Sequence, residues 1–254
     1  MCLILFAKNQ HKKYKLIVAA NRDEFYKRET VQADYWDDHE KVLAGRDLQA
    51  GGTWMGVNTN GLVSMLTNYR DLKHIKDDAP SRGHLVSDFL IEEPSASSYL
   101  ESIAHNGKAY NGFNLICGNA DELYYYGNYQ TGVYEIPDGT HGLSNALLNT
   151  EWPKVVRGKQ KLSKLIEQDQ VIAERLFETL YDDLKADIIE LPDTGVGLEM
   201  EEMLSPMFIK SPNYGSRCST VLLVDQDDNY TYVERTYNIE DFSYTERDFQ
   251  FTVK

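Results

Sequence analysis

The chain has 254 residues, of which 42% are hydrophobic and 11% are aromatic. A chain of this size buries roughly 70–75% of its unfolded surface, which predicts a globular protein that folds without a metal or a disulfide. The formal net charge of -14 gives an acidic surface, which repels phosphate backbones and anionic membranes. Nucleic acid is therefore not expected as a partner.

The three cysteines, Cys2, Cys117 and Cys218, are odd in number and too few for a disulfide framework, which fits a reducing compartment. The first apolar run, residues 2–7, is short and has no basic stretch before it, unlike a secretory signal. No segment approaches the roughly 20 apolar residues of a membrane span. We therefore expect a cytoplasmic protein without a membrane span.

The predicted elements begin with two β-hairpins. Residues 2–7 and 16–20 form the first, and residues 53–57 and 62–66 form the second, with a turn at Asn60 and Gly61. A pair of helices follows. One carries Leu85, Val86, Phe89 and Leu90 on one face and ends at Pro94, and the other spans residues 95–104.

Strands are predicted again at residues 113–117, 123–126 and 133–136. A second helix pair follows, one helix after Pro153 and one with apolar residues spaced four apart from Ile172 to Leu184. The last predicted strands are residues 220–224, 230–234 and 249–253. The long loop at 192–215 indicates a flap or an insertion.

This order of elements lacks the βαβ alternation of a parallel sheet. It predicts an α+β fold in which two mostly antiparallel sheets lie between two helix pairs. No linker rich in Pro, Gly or Ser divides the chain, so we expect a single domain over residues 1–254.

Cys2 directly follows Met1. A small second residue normally allows the initiator methionine to be removed, which would give Cys2 both a thiol and a free α-amine. That amine has an ordinary pKa of about 7.7–8.0, and a nucleophile paired with its own amine is a known arrangement for covalent catalysis. The alternative is that Cys2 is a small apolar residue packed in a strand.

Other polar segments carry weaker signals. Asn21, Arg22, Asp23 and Glu24 follow the second predicted strand and can form either a site or a solvated turn. Gly51 and Gly52 lack the Lys and Ser/Thr of a phosphate loop, so close backbone approach explains them better. The six histidines have no metal-ligand spacing, and we expect no metal and no cofactor.

Two asparagines and an arginine are further candidates. Asn68 and Asn145 lie in similar segments and could donate to an oxyanion beside a thiolate, or simply form turns. Arg217 could stabilise a thiolate or be a surface charge. For Cys117 and Cys218 we favour packing.

Several motifs together resemble one family. They are, in chain order, Met1-Cys2, Asn21-Arg22-Asp23-Glu24, Gly51-Gly52-Thr53-Trp54, Leu66-Thr67-Asn68-Tyr69, Ser81-Arg82-Gly83, Tyr110-Asn111-Gly112-Phe113-Asn114-Leu115, Tyr125-Tyr126-Gly127-Asn128, Gly142-Leu143-Ser144-Asn145-Ala146 and Tyr214-Gly215-Ser216-Arg217. The set closely resembles the transport and Golgi organisation 2 family, whose other name, NRDE, comes from the second motif. That family is similar to the N-terminal-nucleophile hydrolases of the choloylglycine hydrolase and penicillin acylase group, which implies an αββα sandwich.

The resemblance also implies roles for site residues. Cys2 matches the nucleophile, Asp23 the aspartate that binds the α-amine, Asn68 and Asn145 the oxyanion asparagines, and Arg217 an arginine near the nucleophile. From the same resemblance we expect substrate contacts from Asn21, Arg22, Trp54 and Arg82.

One departure concerns Ala20, which stands where the bile-salt enzymes have an arginine. Arg22 lies within the tetrapeptide instead, and strand alternation would place it on the face opposite to Asn21 and Asp23.

Two functions follow from the resemblance. One is a cysteine amidohydrolase or acyl transferase that acts on a linear carbon–nitrogen bond of a small acyl substrate. The other is a non-catalytic carrier or chaperone for haem or a lipid, since the family is linked to haem movement and lipid homeostasis. The sequence has no c-type haem attachment motif. It leaves the oligomeric state open.

Overall fold

The computed structural model describes residues 2–253, which form strands, α-helices and short 3₁₀ turns. The strands are β1 (Cys2–Lys8), β2 (Tyr14–Phe25), β3 (Thr30–Trp36), β4 (His39–Asp47), β5 (Met55–Asn58), β6 (Val63–Asn68), β7 (Phe113–Gly118), β8 (Leu123–Gly127), β9 (Tyr134–Glu135), β10 (Gly139–Leu143), β11 (Tyr214–Asp225), β12 (Asn229–Tyr237) and β13 (Tyr244–Thr252). The helices are α1 (His84–Glu92), α2 (Ala96–Asn106), α3 (Pro153–Glu167), α4 (Ala173–Leu180) and α5 (Leu198–Met203).

These strands build two sheets. One has six strands in the order β10-β1-β2-β11-β12-β13, and the other has seven in the order β3-β4-β5-β6-β7-β8-β9. The strand pairs are antiparallel. Side chains along each strand point alternately to the two faces of the sheet, so each sheet can bury apolar side chains on both of its faces.

Three apolar layers hold the sheets and helices together. Phe6, Val18 and Met65 belong to the core between the two sheets. A second layer joins α3 and α4 to the six-stranded sheet, and a third joins α1 and α2 to the seven-stranded sheet. The predicted α+β fold with two sheets between helix pairs is therefore confirmed.

The predicted elements differ from the structure in several places. Strands β3, β4 and β10 were not expected, and β9 has two residues instead of the four predicted. Helix α4 ends at Leu180, so the extension of its apolar face to Leu184 is wrong, and that side chain is exposed. The second predicted strand was too short, because β2 continues through the Asn-Arg-Asp-Glu tetrapeptide to Phe25.

Of the two glycines before Trp54, Gly52 serves the predicted close backbone approach, whereas Gly51 serves a turn with positive φ. Gly51 has a φ of +82°, which favours glycine. A Cβ on Gly52 would lie 2.5 Å from the backbone carbon of Gly83. The segment that carries Trp54 is thereby packed directly against the start of α1.

The segment between residues 192 and 215 is anchored to the rest of the protein by contacts of buried side chains. It contains α5, whose Glu201 is buried against Arg70. It ends in β11, where Ser216 Oγ accepts a hydrogen bond from the Ile209 backbone N–H at 3.0 Å. None of the helices within residues 2–253 has the length and apolar character needed to cross a membrane.

Candidate active site

Cys2 lies at one end of β1, inside the six-stranded sheet. It pairs with Arg22 on β2, and its thiol is free. It lines a cavity of about 460 Å³. Five of the other residues singled out by the sequence line the same cavity: Arg22, Asp23, Trp54, Asn68 and Arg82. The fold therefore brings together residues that are up to 80 positions apart in the chain.

The protein around the Cys2 thiol favours its neutral form, although the cavity that Cys2 lines is polar. Burial raises the pKa of the Cys2 thiol, and the charge of Asp23 acts in the same direction. The charge of Arg22 and a hydrogen bond from the backbone of Asp23 act to lower it. The thiol therefore has a cation beside it, but burial outweighs the effect of that cation.

Asp23 is buried on the face of β2 that is turned towards the helices. Its Oδ1 accepts a hydrogen bond from Ser216 Oγ at 2.6 Å, and the backbone carbonyl of Asp23 accepts one from the Tyr214 hydroxyl at 3.1 Å. Burial raises the pKa of the Asp23 carboxyl, and the charge of Lys154 opposes that effect. Asp23 is thus fixed in orientation by β11 next to Cys2.

Arg22 lies on the opposite face of β2, as strand alternation predicts. Its guanidinium carbon is 4.1 Å from the ring centroid of Trp54, and its Nη2 is 3.4 Å from Asp47 Oδ2. Ala20 belongs to the core between the sheets, so Ala20 and Arg22 share this face. Arg22 therefore places a cation beside Cys2, although position 20 has none.

Asp47, at the end of β4, holds two arginines at the rim of the cavity. Arg28 Nε is 2.5 Å from Asp47 Oδ2, and Arg28 Nη2 is 3.2 Å from Oδ1. The backbone N–H groups of Gln49 and Ala50 also donate to Asp47 Oδ1. With Arg22 Nη2, five donors on one carboxylate keep it ionised, and it fixes Arg22 over Trp54.

The two predicted oxyanion asparagines have different surroundings. The side chain of Asn68 lines the cavity and makes no hydrogen bond to another residue in the described part of the chain. Asn145 is buried, and its Nδ2 donates to the backbone carbonyl of Asn68 at 2.9 Å. Asn145 is not among the residues that line the cavity, so its contact supports the segment that carries Asn68.

Asn21 was expected to contact substrate, but it is not among the residues that line the Cys2 cavity. Its Nδ2 donates to the carbonyl oxygens of Leu180 at 2.9 Å and Met207 at 2.8 Å, and its Oδ1 accepts from Ser219 Oγ at 2.5 Å. Asn21 shares its face of β2 with Asp23, but it lies farther from the end of the strand and is covered by α4 and the segment after α5. Its amide joins β2 to α4 and to the segment after α5.

Arg217 was expected near the nucleophile, but it does not line the Cys2 cavity. The reason is a β-bulge. Ser216 pairs with Asp23 and Cys218 pairs with Arg22, so Arg217 is an extra residue in β11. Its Nη1 donates to the carbonyl oxygens of Phe25, Tyr26 and Arg28, at 3.2, 2.9 and 2.9 Å. Arg217 therefore stabilises the turn after β2.

A second cavity of about 330 Å³ adjoins the first. The two share four lining residues: Glu24, Asn68, Arg82 and Asn111. Arg82 is anchored between them, with its Nη1 donating to the carbonyl of Gly112 at 2.7 Å. The shared wall means that the apolar cavity is adjacent to the one that Cys2 lines.

The second cavity is largely apolar, in contrast to the first. One side is formed by the segment after β6, with Leu72 and Ile75, and the other by the segment around α5, with Val196, Met203 and Leu204. The predicted flap at residues 192–215 therefore forms part of a wall near Cys2. Apolar cavities with a few polar groups at one end are typical of small-molecule sites.

Sequence reasoning missed Lys154 at the start of α3. Its side chain is buried, and its Nζ donates to the carbonyl of Leu204 at 2.9 Å. Burial lowers the pKa of Lys154 to about 8, and the charges of Asp23 and Cys2 act to raise it. The only local signal is a lysine in the first turn of a helix, where the helix dipole disfavours a cation. Within residues 2–253 no cluster of three or more His, Cys, Asp or Glu side chains is arranged to hold a metal ion.

Comparison with known proteins gives the family. Residues 1–239 match the family model described as "Transport and Golgi organisation 2". The chain therefore belongs to this family. A human member, Transport and Golgi organization protein 2 homolog, is 37% identical over 279 aligned residues that cover all of both chains. Transport and Golgi organization protein 2 of Drosophila melanogaster is 28% identical over 93% of this chain and 92% of its own.

Solved structures of other proteins have the same fold as this chain. A Cys-to-Ala mutant of conjugated bile acid hydrolase from Clostridium perfringens has a TM-score of 0.55 at 10% identity and covers 98% of this chain and 92% of its own. The N-acylethanolamine-hydrolyzing acid amidase ortholog of Caenorhabditis elegans has a TM-score of 0.51 at 11% identity, with coverage of 88% and 92%. At these identities the likeness shows the fold alone, which is that of N-terminal-nucleophile hydrolases.

Proposed function

We propose that this chain is a cysteine hydrolase or acyl transferase that cleaves a linear carbon–nitrogen bond of a small acyl substrate. The observation that carries the proposal is the placement of Cys2 in a polar cavity that shares a wall with an apolar one. The polar cavity would hold the amide and the amine part of the substrate. The apolar cavity would hold the acyl part, because burying apolar surface there is favourable.

The proposed reaction begins with Met1 removed, so that Cys2 has a free α-amine. Met1 lies outside the described residues, and its removal stays a prediction. The thiol sulfur attacks the carbonyl carbon, and the thiol proton passes to the α-amine. Asp23 would bind the resulting ammonium, which suits its fixed carboxylate beside Cys2. The tetrahedral intermediate then carries a negative oxygen.

Collapse of that intermediate breaks the carbon–nitrogen bond. The leaving amine takes the proton back from the α-ammonium, and the acyl group remains on Cys2 as a thioester. Water or an acceptor amine then attacks the thioester, and the thiol recovers its proton. We assign the oxyanion donor role to the side chain of Asn68, which lines both cavities, and a supporting role to Asn145.

The second candidate function is a non-catalytic carrier of haem or an acyl or lipid ligand. Two observations favour it. Burial raises the pKa of the Cys2 thiol, and position 20 has alanine in place of the arginine of the bile-salt enzymes. A neutral thiol is a poor nucleophile unless the α-amine takes its proton. In this case the apolar cavity alone would account for binding.

The two candidates are separated by measuring hydrolysis and binding on one panel of fluorogenic N-acyl amides with acyl chains of increasing length. Protein whose first residue is Cys2, verified by intact mass, is compared with Cys2→Ala, Asn68→Ala and the control Cys117→Ala. Cys117 is buried in β7 and does not line the cavity. The hydrolase hypothesis expects turnover that vanishes in Cys2→Ala and falls about 10²–10³-fold in Asn68→Ala, with little change in Cys117→Ala. Binding without turnover, unchanged in Cys2→Ala, would contradict it and support the carrier.

A further inference from the structure

The wall between the polar cavity at Cys2 and the apolar cavity is formed by residues that line both: Glu24, Asn68, Arg82 and Asn111. The proposed function places the amide of the substrate in the first cavity and its acyl part in the second, so the scissile carbonyl would lie against these four side chains. Attack by Cys2 requires hydrogen-bond donors for the oxygen of that carbonyl, which becomes negative. We therefore looked for the donors among the four.

Two of the four side chains are poorly suited to that role. Glu24 carries a carboxylate, which only accepts hydrogen bonds when it is ionised. The amide of Asn111 is bound to one backbone unit, because its Oδ1 accepts from the N–H of Lys76 at 2.8 Å and its Nδ2 donates to the carbonyl of Lys76 at 3.0 Å. Asn68 and Arg82 remain as the donors of this wall.

Arg82 has most of its donors available. Within residues 2–253 its guanidinium makes one hydrogen bond, from Nη1 to the carbonyl of Gly112 at 2.7 Å, which leaves four of its five N–H groups for other acceptors. No carboxylate in this part of the chain lies within 4.0 Å of its nitrogens. The other arginines that line the two cavities each have such a partner: Arg22 and Arg28 at Asp47, and Arg70 at Glu201.

The charge of Arg82 is therefore available to a ligand. Its surroundings are partly shielded from water, since burial lowers the pKa of Arg82 while the charge of Glu24 acts to raise it. The Oε2 of Glu24 lies 4.0 Å from Arg22 Nη2 and from Arg28 Nε, so that carboxylate already has two cations beside it. In a site of low polarity, a cation without a carboxylate partner interacts strongly with a new negative charge.

The backbone that carries Arg82 is held in place by close packing. Its carbonyl accepts a hydrogen bond from the N–H of Leu85 at 3.1 Å, at the start of α1. The next residue, Gly83, packs against Gly52, and its carbonyl accepts from the N–H of Thr53 at 3.3 Å. Two of the motifs that carry the family resemblance are thereby packed against each other. A donor that is fixed before the reaction needs little reorganisation when charge develops.

We propose that Arg82 is a catalytic residue of the Cys2 centre, whose guanidinium donates with Asn68 to the carbonyl oxygen of the substrate as it becomes negative. When the sulfur of Cys2 bonds to the carbonyl carbon, an electron pair of the C=O bond moves to the oxygen, and the thiol proton passes to the α-amine. Arg82 binds that oxygen and keeps its own protons. The cation that position 20 does not supply would thus come from the start of α1. This inference rests on the proposed function.

The test uses octanal and octanol, which have the same chain length and differ at the reacting carbon. The sulfur of a nucleophilic Cys2 adds to the aldehyde carbon of octanal and the thiol proton passes to its oxygen, which gives a reversible hemithioacetal that resembles the tetrahedral intermediate. Octanol forms no such bond. Affinities for both are measured by titration calorimetry at pH 7 on protein whose first residue is Cys2, with Cys2→Ala as the variant that forms no adduct.

We expect Arg82→Gln to weaken octanal binding at least about tenfold and octanol binding less than about twofold, because the contact strengthens when the tetrahedral centre forms. On the fluorogenic amides, kcat should fall about 10²–10³-fold, with a smaller change in KM. Arg157→Gln is the matched control. Arg157 also donates to a backbone carbonyl, that of Leu184 at 2.6 Å, but it lines neither cavity, and its loss should leave all three measurements unchanged.

Two results would overturn the proposal. Equal losses for octanal and octanol would mean that Arg82 only shapes the wall through Gly112, and an undiminished affinity for octanal would mean that Arg82 does not reach the oxygen. If Arg82→Gln does not fold by circular dichroism, Arg82→Lys replaces it. The lysine keeps the cation without the fork of donors, so octanal binding should still weaken selectively, and the same two results would count against Arg82.

Failure of the proposed function has a different signature. Wild type and Cys2→Ala would then bind octanal equally, which would show that Cys2 is not a nucleophile and would remove both proposals. An adduct at Cys2 that does not depend on Arg82 would remove Arg82 alone. An adduct that depends on Arg82, in a protein that cleaves none of the amides, would support the contact with the oxygen and remove the amide substrate.

Discussion

Replacing Glu201 with glutamine should destabilise the protein strongly, because it breaks a buried ion pair on one side only. Arg70 Nη1 and Glu201 Oε2 are 2.5 Å apart, and their side chains are 2% and 3% exposed. Glu201 Oε1 accepts from the backbone N–H of Thr194 at 2.8 Å and from its hydroxyl at 2.5 Å. A glutamine can keep its oxygen towards Thr194 only by turning its NH₂ towards the guanidinium of Arg70, which places donors against donors.

The expected magnitude follows from that geometry. Removing one partner of a buried pair costs about 3–5 kcal/mol, since the remaining charge loses the opposite charge that offsets its burial. This is a large share of the roughly 5–15 kcal/mol by which folded proteins are stable. With a guanidinium slope of about 4–6 kcal/mol per M, the unfolding midpoint of Glu201→Gln should fall by roughly 0.5–1.2 M.

The neighbouring Glu202→Gln is the control, because it makes the same chemical change on the same helix. Glu202 pairs with Lys185 at 3.3 Å, but both side chains are exposed, at 40% and 56%. Exposed pairs contribute about 0–1 kcal/mol, so its midpoint should move by less than roughly 0.2 M. Equal midpoints for the two variants, by circular dichroism and fluorescence, would refute the argument that burial decides the cost.

Four further predictions follow. Intact mass of untagged protein should show that Met1 is removed, and a population that keeps it would remove the catalytic hypothesis. In peptide-level iodoacetamide labelling at neutral pH, Cys2 should react before Cys117 and Cys218, because Cys2 lines a cavity whereas the other two thiols are buried away from it; equal rates would indicate that Cys2 is a structural thiol. Gly45→Ala should shift the Trp54 fluorescence and lower stability, because a Cβ there would lie 2.4 Å from the Trp54 ring, and an unchanged spectrum would contradict this contact. Burial raises the pKa of Glu234 from 4.5 to about 7, so its contribution to stability is present below about pH 4.5 and is lost as pH rises through about 7. Glu234→Gln should therefore gain stability relative to wild type between pH 5 and pH 8. A stability difference between the two proteins that does not change with pH would be evidence against this.

The elements that the sequence predicted well are those whose pattern is set by burial of one face. Helices α1 and α3 and the β1–β2 hairpin have apolar residues at regular spacing, and the structure has them. Strand β3 was missed because Ala33 and Trp36 are its only buried residues, and strand β4 begins with three exposed polar ones. Such strands form because a neighbouring strand offers hydrogen bonds, which no local pattern records.

The candidate site shows a similar limit. Cys2, Arg22, Trp54 and Arg82 could be named from chemistry and motif, and they meet in one cavity. The position of Arg217 depended on a bulge, and a bulge is not visible from residue types. A lysine at the start of a helix can be solvated or buried. Lys154 is buried because a segment 50 residues later in the chain, at Leu204, covers it. Roles that depend on such distant packing require the folded structure.

The bulge at Arg217 also has a consequence for how β11 can accommodate a change in chain length. In a regular ladder, inserting or deleting one residue would turn every following side chain to the wrong face. Here the extra residue absorbs such a change locally, so Val221–Val224 keep their pairing with β2 while Tyr214–Ser216 follow a register of their own. The register of β11 beside Asp23 is therefore independent of the register of the core strand. A change of one residue in length at this end would alter the surroundings of Cys2 and Asp23 and leave the inner strands of the sandwich as they are.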